Sequence, residues 1–116
     1  FDINADLTLS GQRLVYDFAP GRGGDGMRTD VQGNLWIAAG VSRPRHANET
    51  AEVPAGIYVV TPRGEMLGRI PVPEDALTNL AFGGPDLKTL YIVSGKSLFS
   101  IRVTVAGHVV YPRLAG

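Results

Sequence analysis

The sequence has no cysteine. That removes a disulfide framework and any thiolate metal site, and it suits every redox compartment without choosing one. Net charge is also missing: 11 basic residues balance 11 acidic ones. Nothing in that balance draws the chain to nucleic acid or to a membrane surface. No apolar run approaches the ~20 residues that span a bilayer, and no secretory leader is visible. No stretch keeps a helical period over three turns. The two histidines, His46 and His108, are far apart and lack the His-Glu-x-x-His spacing of a zinc protease. No Ser–His–Asp arrangement is visible either. The glycines at 21–26 are not followed by the Lys-Ser/Thr of a phosphate-binding loop and read as a connection. Asn48, Glu49 and Thr50 match a glycosylation pattern that chance supplies often.

What remains is an ordinary globular composition, 44% apolar and 19% charged, with room for one small domain. Runs rich in Val, Ile, Leu and Tyr are broken by Gly and Pro at short intervals, which predicts an all-β fold. A long segment repeats itself. Asp-Gly-Met-Arg-Thr-Asp-Val-Gln-Gly-Asn-Leu-Trp-Ile-Ala at 25–38 is echoed by Thr-Asn-Leu-Ala-Phe-Gly-Gly-Pro-Asp-Leu-Lys-Thr-Leu-Tyr-Ile-Val at 78–93. Each copy reads as strand, turn and strand, and each is followed by a second hairpin, at 56–72 and 97–111. Two four-strand units spaced at roughly 50 residues suggest propeller blades. The expected organisation is an outer half-blade over 1–19, with strands at 1–6 and 13–18, then a blade over 25–73 and a last blade over 77–112. Turns are expected at 32–34, 63–64, 83–86 and 106–107. Trp36 and Tyr91 take matching strand positions, which packing between blades explains.

The chain starts at Phe1, inside a strand-like pattern and without an initiator Met. It is therefore expected to be a piece of a longer polypeptide; the composition is that of a soluble protein and leaves the compartment open between cytoplasm and periplasm. About two and a half blades would leave open sheet faces and edges at both ends. Such a piece should fold poorly alone and need either its remaining blades or copies of itself.

The segments 25–38, 56–70 (Gly-Ile-Tyr-Val-Val-Thr-Pro-Arg-Gly-Glu-Met-Leu-Gly-Arg-Ile) and 78–92 resemble the gluconolactonase family, which includes regucalcin, the senescence marker protein. The leading Phe-Asp-Ile-Asn-Ala-Asp, with Leu-Val-Tyr-Asp-Phe behind it, fits the same family's preceding half-blade. The resemblance implies a six-bladed β-propeller of which this chain forms about two and a half C-terminal blades. It also implies a lactone substrate and one divalent cation in the central channel, calcium first, with zinc, magnesium or manganese as alternatives. Of the family's metal ligands, only the Asp of the Asp-Gly-Met motif maps here, onto Asp25. A calcium ion takes 6–8 oxygens, so the chain alone is expected to be inactive. The competing reading is a non-catalytic propeller module used for binding or assembly.

Asp25 follows a glycine-rich connection at the entrance to an innermost strand, where a propeller's channel opens. Spacing alone leaves open an Asp that caps its own turn; the resemblance makes it a metal ligand and proton acceptor. Thr78 and Asn79 take the equivalent entrance one unit later, with Asn79 as a substrate or metal-water contact or a plain turn residue. Asp30 reads as a hydrogen-bonding residue of its turn. The loop from 40 to 55 carries Arg43, Arg45, His46 and Glu49. In an up-down meander it returns to the Asp25 end. Long loops often bind, so Arg43, Arg45 and His46 are candidate substrate contacts, with a solvated charged loop as the alternative.

Overall fold

The computed structural model describes residues 1–110. These form nine strands and no helix: β1 (Asp2–Ile3), β2 (Leu9–Ser10), β3 (Gly24–Thr29), β4 (Leu35–Ala39), β5 (Gly56–Val60), β6 (Met66–Pro71), β7 (Leu77–Gly83), β8 (Thr89–Ser94) and β9 (Ser97–Arg102). They make a small hairpin, a four-stranded sheet β3-β4-β5-β6 and a three-stranded sheet β7-β8-β9. Every pairing is antiparallel between strands adjacent in sequence, so both larger sheets are meanders.

The burial pattern explains which sequences form which strands. In β4, Trp36 and Ala38 face one side while Ile37 and Ala39 face the other, and all four are buried. In β5, Ile57 shares the first side while Tyr58 and Val60 share the second. Both faces of the four-stranded sheet are therefore covered, which is why its central strands read as continuous apolar runs. The first face packs on the three-stranded sheet through Leu77, Leu80, Leu90 and Ile92. The Trp36 ring meets Phe82 edge-on, with centroids 5.2 Å apart. The second face is covered by Tyr16, Phe18 and Val53. In β8 the pattern alternates: Leu90, Ile92 and Ser94 are buried and Tyr91 and Val93 are exposed. One face of the three-stranded sheet is thus uncovered.

Asp30 holds the β3–β4 turn together. Its carboxylate is buried and accepts four hydrogen bonds, from the backbone N–H of Gln32 (2.9 Å) and Asn34 (2.9 Å), the Asn34 amide (3.0 Å) and the Trp36 indole (2.9 Å). Burial pushes its pKa up, but the four donors together outweigh burial and hold the carboxyl below its ordinary value. The structural role expected for Asp30 is the one observed.

Two expected elements differ. The N-terminal hairpin closes early, pairing Asp2 with Ser10 and Ile3 with Leu9, and residues 13–18 form no strand. The cause is local: Asp6 accepts from the Thr8 backbone N–H (3.1 Å) and hydroxyl (2.6 Å), which tightens the turn. Residues 13–18 instead lend Tyr16 and Phe18 to the neighbouring sheet face. The strand expected after the turn at 106–107 is also absent up to residue 110. There the chain crosses back to the end of β3, where Gly107 bridges Asp30 and the His108 N–H donates to the Thr29 carbonyl (2.9 Å). Gly107 lies against the Phe82 ring, where a side chain would collide. The expected end of the last unit near Pro112 lies outside the described residues.

Candidate functional site

β3 and β7 are the first strands of the two larger sheets, and each carries a break in register near its start. Gly24 pairs with Ala39 and Met27 with Ile37, so Asp25 and Gly26 together oppose the single residue Ala38. Leu77 pairs with Ser94 and Asn79 with Val93, so Thr78 is the extra residue. Bulges of this kind unpair a residue and re-aim its side chain. The two bulges touch. A Cβ added at Gly26 would sit 2.6 Å from the Thr78 carbonyl oxygen and 2.7 Å from the Asn79 Cα. Only glycine admits this approach. The structure thus brings Asp25, Thr78 and Asn79 to one shared edge, and all three are exposed. Asn79 Oδ1 accepts from the Leu80 N–H (2.9 Å).

Asp25 is not isolated. Arg22 reaches it at 3.3 Å. The Arg22 carbonyl accepts from the Gly40 N–H (3.1 Å), which ties the connection before β3 to the start of the long loop. That loop returns to the Asp25 end, as its position in the meander requires. Its conformation is built on carboxylates. Asp75 accepts from the backbone N–H of Ser42 (2.7 Å) and Arg43 (2.9 Å). Glu49 accepts from the N–H of Arg45 (2.7 Å) and His46 (3.3 Å). The Arg45 N–H is the main reason that the Glu49 carboxyl lies below its ordinary value, helped by His46 and Arg22. The stretch from Glu74 to Ala76 is pinned in turn by Ser94, whose hydroxyl donates to the carbonyls of Glu74 (2.6 Å) and Asp75 (3.0 Å).

Arg43 and Arg45 line an open cavity of ≈ 550 Å³ with Glu74, Asp75, Lys96 and Phe99. His46 lies apart from it, in a smaller cavity of ≈ 190 Å³ with Arg22, Arg45 and Glu49. His108 is at the other end of β3, near Arg28. Arg22, Asp75 and Lys96 join these cavities without any mark in the local sequence. Arg22 was hidden in a Pro-Gly-Arg-Gly-Gly stretch that reads as a linker. Asp75 acts on a loop 32 and 33 residues away, which no local pattern can report.

Among the described residues, no group of three or more His, Cys, Asp or Glu side chains gathers as a metal site needs. Asp25 offers one carboxylate against the 6–8 oxygens that calcium takes, so these residues do not by themselves fit a divalent cation.

Two antiparallel meanders packed face to face, with polar residues gathered at the start of their first strands, define the class: an all-β protein with a strand-end site. The family model described as SMP-30/Gluconolactonase/LRE-like region matches residues 1–96. The chain belongs to that family. Its relatives include 6-deoxy-6-sulfogluconolactonase of Pseudomonas putida, 34% identical over 99 residues, covering 83% of this chain and 30% of the relative. Pentonolactonase XacC of Haloferax volcanii is 35% identical over 71 residues, covering 60% and 20%. The gluconolactonase of Zymomonas mobilis is 34% identical over 84 residues, covering 72% and 19%. The chain therefore spans less than a third of the length of these curated relatives.

Proposed function

We propose that this chain is the C-terminal sector of a six-bladed β-propeller lactonase that opens a sugar lactone or related ester. The observation that carries the reading is the meeting of the Asp25–Gly26 and Thr78–Asn79 bulges on neighbouring first strands. In a propeller the first strands surround the axis, so this edge would face the channel. The uncovered sheet face supports the same reading. Trp36 packs on the following sheet, while Tyr91, at the matching position, is 41% exposed beside Val93 at 47% and Leu98 at 68%. A further blade would cover them. The remaining blades of the same propeller are the proposed partner, and the 116-residue chain alone would be inactive.

In this reading Asp25 accepts a proton from the water that attacks the lactone carbonyl. The ring C–O bond breaks, the ring oxygen takes a proton, and a hydroxy acid leaves. Thr78 and Asn79 position the ring through its hydroxyls. The divalent cation that the family resemblance implies would draw one oxygen from Asp25 and its other ligands from beyond these residues. Such a cation, if held there, would polarise a carbonyl.

The test is a pH-stat assay on the full-length polypeptide that carries this chain, with gluconolactone and with spontaneous hydrolysis subtracted. Turnover that chelation abolishes and a divalent cation restores is expected. Turnover indifferent to chelation would remove the cation from the proposal. No turnover of any sugar lactone would favour the alternative, a non-catalytic module that uses its open apolar face for assembly.

A further inference from the structure

We propose that the cleft between the long loop and the β8–β9 turn is a subsite for a small oxyanion, the phosphate, sulfonate or carboxylate group of a ligand, held by Arg43, Arg45 and Lys96. All three residues line the same ≈ 550 Å³ cavity. They come from two distant parts of the chain, the 40–55 loop and the two-residue turn between β8 and β9. None has an ion-pair partner among the described residues.

The cavity also contains Glu74 and Asp75, which would ordinarily cancel two of the cations. Three cations against two carboxylates still leave one positive charge in excess, and the carboxylates are held against backbone N–H groups of the walls. Both oxygens of Asp75 accept backbone N–H groups, from Ser42 and Arg43. Glu74 Oε1 accepts from the Lys96 N–H (2.9 Å), and the Ser97 hydroxyl is the largest influence holding its carboxyl below the ordinary value. These carboxylates build the walls; Glu74 feels the charge of Lys96, but among the described residues no carboxylate lies within ion-pair distance of the three cations. Guanidinium groups suit oxyanions because their planar donors match two oxygens at once. Phe99 adds an apolar surface on which a carbon skeleton can rest. Arg45 also lines the cavity that contains Arg22, the partner of Asp25, so the subsite adjoins the Asp25 edge. An anionic group bound here would orient the rest of its molecule toward that edge. This use of the subsite rests on the lactonase reading; the anion site itself does not.

The experiment uses the full-length polypeptide and two readouts. Inorganic phosphate is titrated by calorimetry at low salt, because exposed charges are screened at high salt. Saturable binding is expected, weakened about tenfold in Arg43→Gln and in Lys96→Gln, the effect of losing one charge-assisted contact. Arg63→Gln, in the β5–β6 turn, should bind as the wild type does. In the second readout, the ratio of kcat/KM for a 6-phosphorylated sugar lactone over its neutral counterpart should fall about tenfold in Lys96→Gln. Absence of saturable phosphate binding, or unchanged binding in both variants, would overturn the subsite. A ratio that stays constant would overturn its role in orienting substrate. If no lactone turns over, the lactonase reading fails and the phosphate titration still decides the anion site.

Discussion

Asp30→Asn is the smallest change that tests how the β3–β4 turn supports the site. The substitution keeps the shape and swaps one carboxylate oxygen for an NH2 group. Oδ1 accepts from the N–H groups of Gln32 and Asn34, and Oδ2 accepts from the Asn34 amide and the Trp36 indole. Either way the new amide turns, its NH2 group faces two donors. Two buried hydrogen bonds are lost and like groups are pressed together. Each buried group left unsatisfied costs about 1–3 kcal/mol, so for two of them a loss of roughly 2–6 kcal/mol is expected. Trp36 would lose its anchor and with it the edge-on contact to Phe82. Asp30→Ala, which leaves all four donors unpaired, should cost at least as much. The assay is urea denaturation of the full-length polypeptide, with hydrogen exchange at the Gln32 and Asn34 amides as the local readout. The pH dependence gives a second check. The folded-state pKa of Asp30 lies below its ordinary value of 3.8. Its contribution is therefore fully present above that value and lost as pH falls through the lowered folded value. Asp30→Asn should lack this acid-side component. A variant as stable as the wild type, or one with an unchanged acid limb, would refute the reasoning.

Gly26→Ala should destabilise the protein by about 1–3 kcal/mol through overpacking, because the added methyl meets the Asn79 side-chain oxygen and, behind it, the Thr78 carbonyl and the Asn79 Cα, which are backbone and cannot swing aside. A shifted midpoint in urea checks this, and an unshifted one contradicts the contact between the bulges. Asp75→Ala should release the amides of Ser42 and Arg43. Hydrogen exchange at those two positions should then rise while exchange in β4 and β5 stays slow. Equal protection in variant and wild type would show that Asp75 does not hold the loop.

Much of the architecture is legible from local pattern. The run 35–39 and the turns at 32–34 and 63–64 are readable because alternating burial and the turn residues Gly33 and Gly64, both at positive φ, leave strong local marks. The segment 13–18 misleads because Leu, Val, Tyr and Phe in a short run look strand-like whether they pair or only pack. There the Asp6–Thr8 turn had already closed the hairpin. The crossing of residues 106–108 to the end of β3 is a long-range event that no local window registers. At the site, Asp25, Thr78 and Asn79 were readable as equivalent strand entrances. Their direct apposition depends on bulges, which emerge only once the pairing register is known. Lys96 joins Arg43 and Arg45 through tertiary packing alone.

In the proposed lactonase, Asp25, on the shared edge of two neighbouring first strands, carries lactone opening. The most direct measurement is kcat/KM for gluconolactone in the full-length polypeptide and in its Asp25→Ala variant, with folding verified by circular dichroism. The account predicts a folded variant whose kcat/KM is lower by about a hundredfold or more. A folded variant that opens the lactone at the wild-type rate would contradict it.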